Sequence, residues 1–220
     1  VRDSGQPLGP PYLRVMAAYT GVTWPAMAGI AVLAEPLIHL LYGERWLAAA
    51  PLLTWIALSQ ICYVALPLNA DLPVLMGRMK PLMRRMILET IISVALIGLT
   101  APFGLQWVAI SRVIHGVFWV IIYAPLLKQV LDLRWRDLGM IALRSAIVTV
   151  AAVAPLLVSY SLWNGPAQAG LLQASSMIAA GIALWFLALR LICHPLYDEI
   201  ANLVSGLLAS LRRTPAPSAG

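Results

Sequence analysis

Charged residues are scarce in this chain, and their scarcity argues against an ordinary soluble domain. Only 11% of the 220 residues are Asp, Glu, Lys or Arg, whereas a typical soluble domain has roughly 25%. Hydrophobic residues make up 61%. Such a chain lacks the polar surface that folding in water requires, so its composition predicts a membrane protein.

Cysteine and histidine are also rare, with two and three residues respectively. Cys62 lies inside an apolar run and Cys193 at the end of another, where oxidising conditions do not favour a disulfide. Together with His39, His115 and His194 they match no metal-binding spacing. We therefore expect no disulfide, no metal and no cofactor.

Acidic residues are outnumbered, nine against 15 basic residues, which gives a net charge of +6 and a pI near 9.7. A basic chain can bind nucleic acid, but here the charges lie in short segments between apolar runs. Orientation in a membrane explains that pattern better, so we expect no nucleic-acid partner.

Long apolar runs are what the chain does have. About 20 apolar residues in a helix cross a bilayer, and six stretches approach or exceed that length: 15–42, 47–70, 87–103, 106–127, 139–163 and 168–192. Backbone groups in lipid must be hydrogen-bonded internally, so helices are expected. The sequence predicts an all-α membrane protein with six transmembrane helices.

The basic residues are distributed unequally about these runs. If the chain crosses six times, 13 of the 15 basic residues fall on one side, which the positive-inside rule makes cytoplasmic. Both ends are then cytoplasmic. Those 13 residues are Arg2, Arg14, Arg78, Lys80, Arg84, Arg85, Lys128, Arg134, Arg136, Arg144, Arg190, Arg212 and Arg213.

The ends of the chain predict the domain boundaries. Residues 1–14 form a cytoplasmic lead-in, in which Pro10 and Pro11 should bar a helix until about Tyr12. The chain begins without Met, as the C-terminal portion of a longer protein would.

The six-helix bundle occupies residues 15–192. After the break at His194–Pro195, leucines recur at helical spacing with polar residues opposite, so residues 193–212 predict an amphipathic helix on the inner membrane surface. Residues 213–220 form a disordered tail.

One stretch, residues 25–53, has a specific pattern. It reads PAMAGIAVLAEPLIHLLYGERWLAAAPLL and resembles the polysaccharide and oligosaccharide flippases of the multidrug/oligosaccharidyl-lipid/polysaccharide exporter superfamily. The residues that match are Ala34, Pro36, Leu37, Ile38, Leu40, Leu41, Tyr42, Gly43, Trp46, Ala49, Ala50, Pro51, Leu52 and Leu53.

The resemblance implies the C-terminal half of a transporter with 12–14 helices in the bacterial inner membrane, partnered by a missing N-terminal half. Its substrate would be a polyprenyl-diphosphate-linked oligosaccharide, and its role export of O-antigen, capsule or exopolysaccharide. It would bind membrane lipid and use no cofactor.

The motif also has a physical reading. A glycine can end a helix, a tryptophan anchors the membrane interface, and a proline suits a first helical turn. We expect the motif residues to be structural: Pro25, Pro36, Tyr42, Gly43, Trp46 and Pro51.

Polar residues within the runs are the candidates for function, because charge in a bilayer is costly. Arg112 and His115, at positions i and i+3, share a helix face and could hold a diphosphate or an acidic sugar. The alternative is that Arg112 extends to the outer interface.

A second candidate pair lies near the outer end of the first run. Glu35 and His39, at i and i+4, could relay protons or pair with each other; the alternative is a simple interfacial pair beside Arg45. Glu89, four residues after Arg85, predicts a local ion pair.

Other functions stay open. One is another exporter of the same superfamily, such as a drug/cation antiporter or a peptidoglycan-precursor flippase. A membrane glycan polymerase or ligase would be an enzyme, but no nucleophile–base pair or carboxylate pair is visible and the outer loops are short. A non-transporting scaffold is a further alternative. We predict no catalytic residue.

Overall fold

The described part of the chain is helical. A computed structural model describes residues 8–163, 171–193 and 195–197. The α-helices there are α1 (Gly9–Val32), α2 (Ala34–Tyr42), α3 (Ala50–Tyr63), α4 (Asp71–Leu75), α5 (Met79–Thr100), α6 (Leu105–Leu131), α7 (Trp135–Trp163) and α8 (Leu171–Leu191). Glu44–Ala49 and Ala101–Phe103 form 3₁₀ helices.

Helices of membrane-spanning length dominate these residues. Five described segments are long and apolar enough to cross a bilayer: Gly9–Val32, Glu44–Tyr63, Met79–Phe103, Leu105–Leu131 and Trp135–Val158. A shorter apolar helical segment, Ser175–Leu191, lies within α8. The prediction of an all-α membrane protein is therefore confirmed. The predicted amphipathic helix and tail lie outside the described residues from 198 onwards.

The first helix begins earlier than expected. α1 starts at Gly9 and carries Pro10 and Pro11 in its first turn, so the prediction that these prolines bar a helix is wrong. The first N–H groups of a helix have no internal partner, and proline there loses nothing. The helix includes the last part of the segment predicted as a lead-in.

Two apolar runs are interrupted near prolines. The first run breaks at Leu33, between α1 and α2, because Pro36 has no N–H to donate to the carbonyl four residues earlier. In the second run α3 ends at Tyr63, four residues before Pro67, for the same reason. Val64–Ala70 is irregular, and Leu68 there has a φ of 56°.

The helices pack as a series of neighbours. α1 packs against α7 on one side and α3 on the other; α3 packs against α6, α6 against α5, and α7 against α8. A large apolar cluster joins the start of α1 to the C-terminal half of α6, around Tyr12, Leu127 and Leu131. Only Leu82 of α5 is buried, so α5 lies at an edge of the bundle.

Small residues let these helices approach closely, as is common in membrane bundles. A Cβ added to Gly116 would lie 2.8 Å from Cys62 Cβ and 3.3 Å from the Ser59 carbonyl oxygen. At the contact of α7 with α8, a Cβ on Gly181 would lie 2.4 Å from the Ala152 carbonyl oxygen.

Hydrogen bonds join α1 to α7 and to α8, and the bond to α8 uses a carbonyl that a proline has left without its partner in the helix. Pro25 has no N–H, so the Gly21 carbonyl lacks its usual partner within α1. Trp185 of α8 donates its indole N–H to that carbonyl at 2.9 Å. Thr20 and Ser145 join α1 to α7 through a hydroxyl–hydroxyl contact of 2.8 Å.

The hairpin between α2 and α3 contains the motif residues. Gly43 ends α2 with φ 79° and ψ 178°, a conformation reached almost only by glycine. Tyr42 and Trp46 are exposed with ring centroids 6.3 Å apart, as interfacial aromatics are. Pro51 lies in the first turn of α3.

Candidate functional site

Three helices bring polar side chains together inside the bundle. We call these residues the polar cluster: Tyr63, the last residue of α3, Glu89 and Ser93 of α5, and Arg112 and His115 of α6. Helix α6 places Arg112 and His115 on one face, as the spacing predicted. The irregular segment after Tyr63 lies next to the cluster in sequence.

His115 is the buried centre of the cluster, with 1% of its surface exposed. Its Nδ1 is hydrogen-bonded to the Tyr63 hydroxyl. Its Nε2 lies 3.3 Å from the Glu89 carbonyl oxygen and 3.6 Å from the Glu89 carboxylate. Both ring nitrogens therefore have partners on other helices.

The Arg112 guanidinium is held between α3 and α5. One terminal nitrogen donates to the Ser93 hydroxyl at 3.0 Å, and the guanidinium carbon lies 5.5 Å from the centroid of the Tyr63 ring. Arg112 is the seventh residue after Leu105, where α6 starts, roughly 10 Å along the axis. These contacts favour an inward position over extension to the interface.

The Arg112 guanidinium forms no ion pair with an Asp or Glu among the residues that the structure describes. Ser93 accepts from one of the five N–H donors that a guanidinium carries. Inside a membrane span, a cation with spare donors favours an anionic ligand over a purely structural role.

Sequence reasoning missed Tyr63 and misassigned Glu89. The predicted Arg85–Glu89 ion pair is wrong: Arg85 donates to the Ile122 carbonyl at 3.1 Å and the Pro81 carbonyl at 3.2 Å. Glu89 instead faces His115 and interacts with the Tyr123 hydroxyl. A carboxylate at the edge of an apolar run was the signal available for Glu89.

The other candidate pair is not brought together. His39 lies 4.0 Å from the Glu44 carboxylate, and both side chains are exposed. Glu35 is exposed at a recess that Thr54 and Trp55 also line. Nothing in this geometry links Glu35 to His39.

The described residues contain no group of three or more His, Cys, Asp or Glu placed to hold a metal ion. The polar cluster instead combines the Arg112 guanidinium, the Glu89 carboxylate, two hydroxyls and a buried imidazole. Its guanidinium can bind an oxyanion through charge-assisted hydrogen bonds.

Comparison with known proteins finds a family similarity at the start of the chain. Residues 1–51 match a family model described as "Polysaccharide biosynthesis protein". No curated protein and no solved structure matches the chain. The match covers α1, α2 and the hairpin that follows, where the motif residues lie. In this part the chain is similar to polysaccharide biosynthesis proteins, which supports a membrane role connected with polysaccharide biosynthesis and export.

Proposed function

We propose that this chain is part of a flippase that moves polyprenyl-diphosphate-linked oligosaccharide across the bacterial inner membrane for polysaccharide export. The polysaccharide would be an O-antigen, a capsule or an exopolysaccharide. Both ends of the segment would be cytoplasmic. A second helical bundle of the same transporter would supply the facing wall of the path.

The observation that carries this proposal is Arg112 within the polar cluster. Its guanidinium is inside a membrane-spanning bundle, bonded to Ser93 and stacked near Tyr63, with no ion pair among the described residues. The planar fork of an Arg suits phosphate oxygens, which it can bind in pairs. A diphosphate linked to a lipid offers that chemistry at membrane depth.

The family match supports the polysaccharide part of the proposal. It falls on residues 1–51, which form α1 and the hairpin with Gly43 and Trp46. These elements pack beside α3, whose last residue, Tyr63, belongs to the polar cluster. The matched segment and the candidate anion site are thus neighbours in one bundle.

We propose transport rather than covalent chemistry. The Arg112 guanidinium keeps N–H donors beyond the one bonded to Ser93, which suits reversible binding of an anion, and the Glu89 carboxylate faces His115. His115 has both ring nitrogens engaged by Tyr63 and Glu89, so it is poorly placed as a base for an attacking group. The expected role of Arg112 is therefore to bind the anion, beside a His115 held by Tyr63 and Glu89, and not to catalyse.

Substitution of Arg112 in the full-length protein tests the proposal. Arg112→Lys keeps the charge but loses the fork, and Arg112→Ala loses both. We expect polysaccharide export to fall by about tenfold or more in both variants, since bonds to a charged group contribute about 1.5–3 kcal/mol. Surface polysaccharide in cells depleted of the wild-type protein is the measurement.

Arg84→Lys is the matched control, because Arg84 is exposed on α5. It should export as the wild type does. Normal export by both Arg112 variants, at wild-type levels of inserted protein, would remove Arg112 from substrate handling.

A further inference from the structure

The polar cluster contains a second element that anion binding does not use. His115 lies between a hydroxyl on one side and a carboxylate on the other, contributed by α3 and α5. Buried chains of His, Glu and hydroxyl groups within membrane spans are where proton relays occur. Tyr63, His115 and Glu89 can form two fully hydrogen-bonded arrangements, which differ by one proton.

The first arrangement has a neutral His115. Nε2–H then donates to Glu89, whose carbonyl oxygen is 3.3 Å away. Nδ1 is a lone pair and accepts from the Tyr63 hydroxyl. Every polar atom has a partner, and Glu89 carries the only charge of the three residues.

The second arrangement holds one more proton. A proton from water binds Nδ1, and Nδ1–H then donates to the Tyr63 oxygen. The Tyr63 hydroxyl proton turns to the Arg112 carbonyl oxygen, which is 3.4 Å away. The imidazolium lies 3.6 Å from the Glu89 carboxylate, so its charge is compensated, and again every donor has an acceptor.

We propose that Tyr63, His115 and Glu89 form a proton-binding site that takes up one proton from water, with the Tyr63 hydroxyl turning from His115 to the backbone carbonyl of Arg112. One N–H bond forms at Nδ1 as one O–H bond of a hydronium ion breaks, and the remaining changes are exchanges of hydrogen bonds. With the proton bound, the net charge of Arg112, His115 and Glu89 together rises from zero to one positive charge, which favours an anion at Arg112. Proton and anion would then favour each other's binding, by reciprocal linkage.

Other titratable groups face this site and share its field. They are Cys62 of α3, Arg85 of α5, and Arg112 and Tyr123 of α6. The Glu89 carboxylate lies 3.6 Å from His115 Nε2, close enough to compensate an imidazolium.

Nitrogen NMR of histidine-labelled full-length protein in lipid tests the proposal. Signals lost in His115→Gln assign the ring nitrogens of His115. Between pH 8 and pH 5 we expect these signals to change from a neutral Nε2–H ring to a ring with both nitrogens protonated. In Glu89→Gln the ring should stay neutral at pH 5, because the carboxylate that compensates the imidazolium is gone.

Glu35→Gln is the matched control, an identical change at an exposed carboxylate, and should behave as the wild type. A His115 that stays neutral at pH 5 in the wild-type protein would overturn the proposal, whether or not Glu89→Gln folds. Equal protonation in the wild type and a folded Glu89→Gln would overturn it too. No substrate is present, so the result is independent of the flippase proposal.

Discussion

At the residue scale, Gly116 is the tightest point between α3 and α6. Any side chain there must displace Cys62 Cβ, 2.8 Å from the added carbon, or the Ser59 carbonyl, 3.3 Å away. Both obstacles belong to the α3 helix and cannot move independently. The polar cluster depends on this contact, because Tyr63 reaches His115 only if α3 lies close to α6.

We predict that Gly116→Ala destabilises the protein by about 1–3 kcal/mol, the usual range for overpacking. Gly98→Ala on α5 is the control, because a Cβ there meets nothing within 4 Å and alanine favours helix. Unfolding in detergent measures both. A Gly116→Ala protein as stable as Gly98→Ala would show that α3 and α6 are not in this contact.

The sequence could place Arg112 and His115 on one face, since positions i and i+3 lie together on any helix. It could not identify their partners. Tyr63, Glu89 and Ser93 lie on other helices, and which helices become neighbours depends on the packing of the whole bundle. For the same reason the i, i+4 rule gave the wrong partner for Glu89, which faces His115 on α6 and not Arg85 one turn away.

At the element scale, a tryptophan of α8 supplies the hydrogen-bond donor that a proline removes from α1. Pro25 frees the Gly21 carbonyl, and the Trp185 indole supplies the missing donor at 2.9 Å. Membrane helices tolerate proline where a neighbour repairs the backbone in this way. Hydrogen bonds of this kind contribute about 0.6 kcal/mol on average and at most about 1.7 kcal/mol.

We predict that Trp185→Phe lowers stability by roughly that amount, and that Pro25→Ala removes most of the loss by restoring an N–H for Gly21. A double-mutant cycle measures the coupling. Trp24→Phe is a matched control, because the Trp24 indole nitrogen is buried and has no hydrogen-bond partner among the described residues. Equal losses at Trp185 with and without Pro25 would contradict the repair.

Helix type and approximate span positions follow from apolar length alone, so the elements were largely predictable. The positions at which the helices are interrupted were not predictable. Each of Pro25, Pro36 and Pro67 lies in an apolar run, but α1 continues through Pro25 while the helix is interrupted at Leu33 and ends at Tyr63. A helix can continue through a proline when a neighbour such as Trp185 donates a hydrogen bond to the carbonyl that the proline leaves free. The local sequence does not reveal that neighbour.

At the scale of the whole molecule, α6 is central to the account. It packs between α3 and α5 and carries both Arg112 and His115. The edge position of α5 leaves Met83, Ile87 and Ile91 exposed, an apolar surface suited to lipid or to further helices. The order of neighbouring helices was not predictable, because each apolar run is compatible with many partners.

The most direct test of the proposed function is the sidedness of the lipid-linked oligosaccharide in cells that lack the full-length protein. We predict that it accumulates on the cytoplasmic face, and that the wild-type protein returns it to the outer face whereas Arg112→Ala does not. An unchanged distribution between the two faces after loss of the protein would contradict the account.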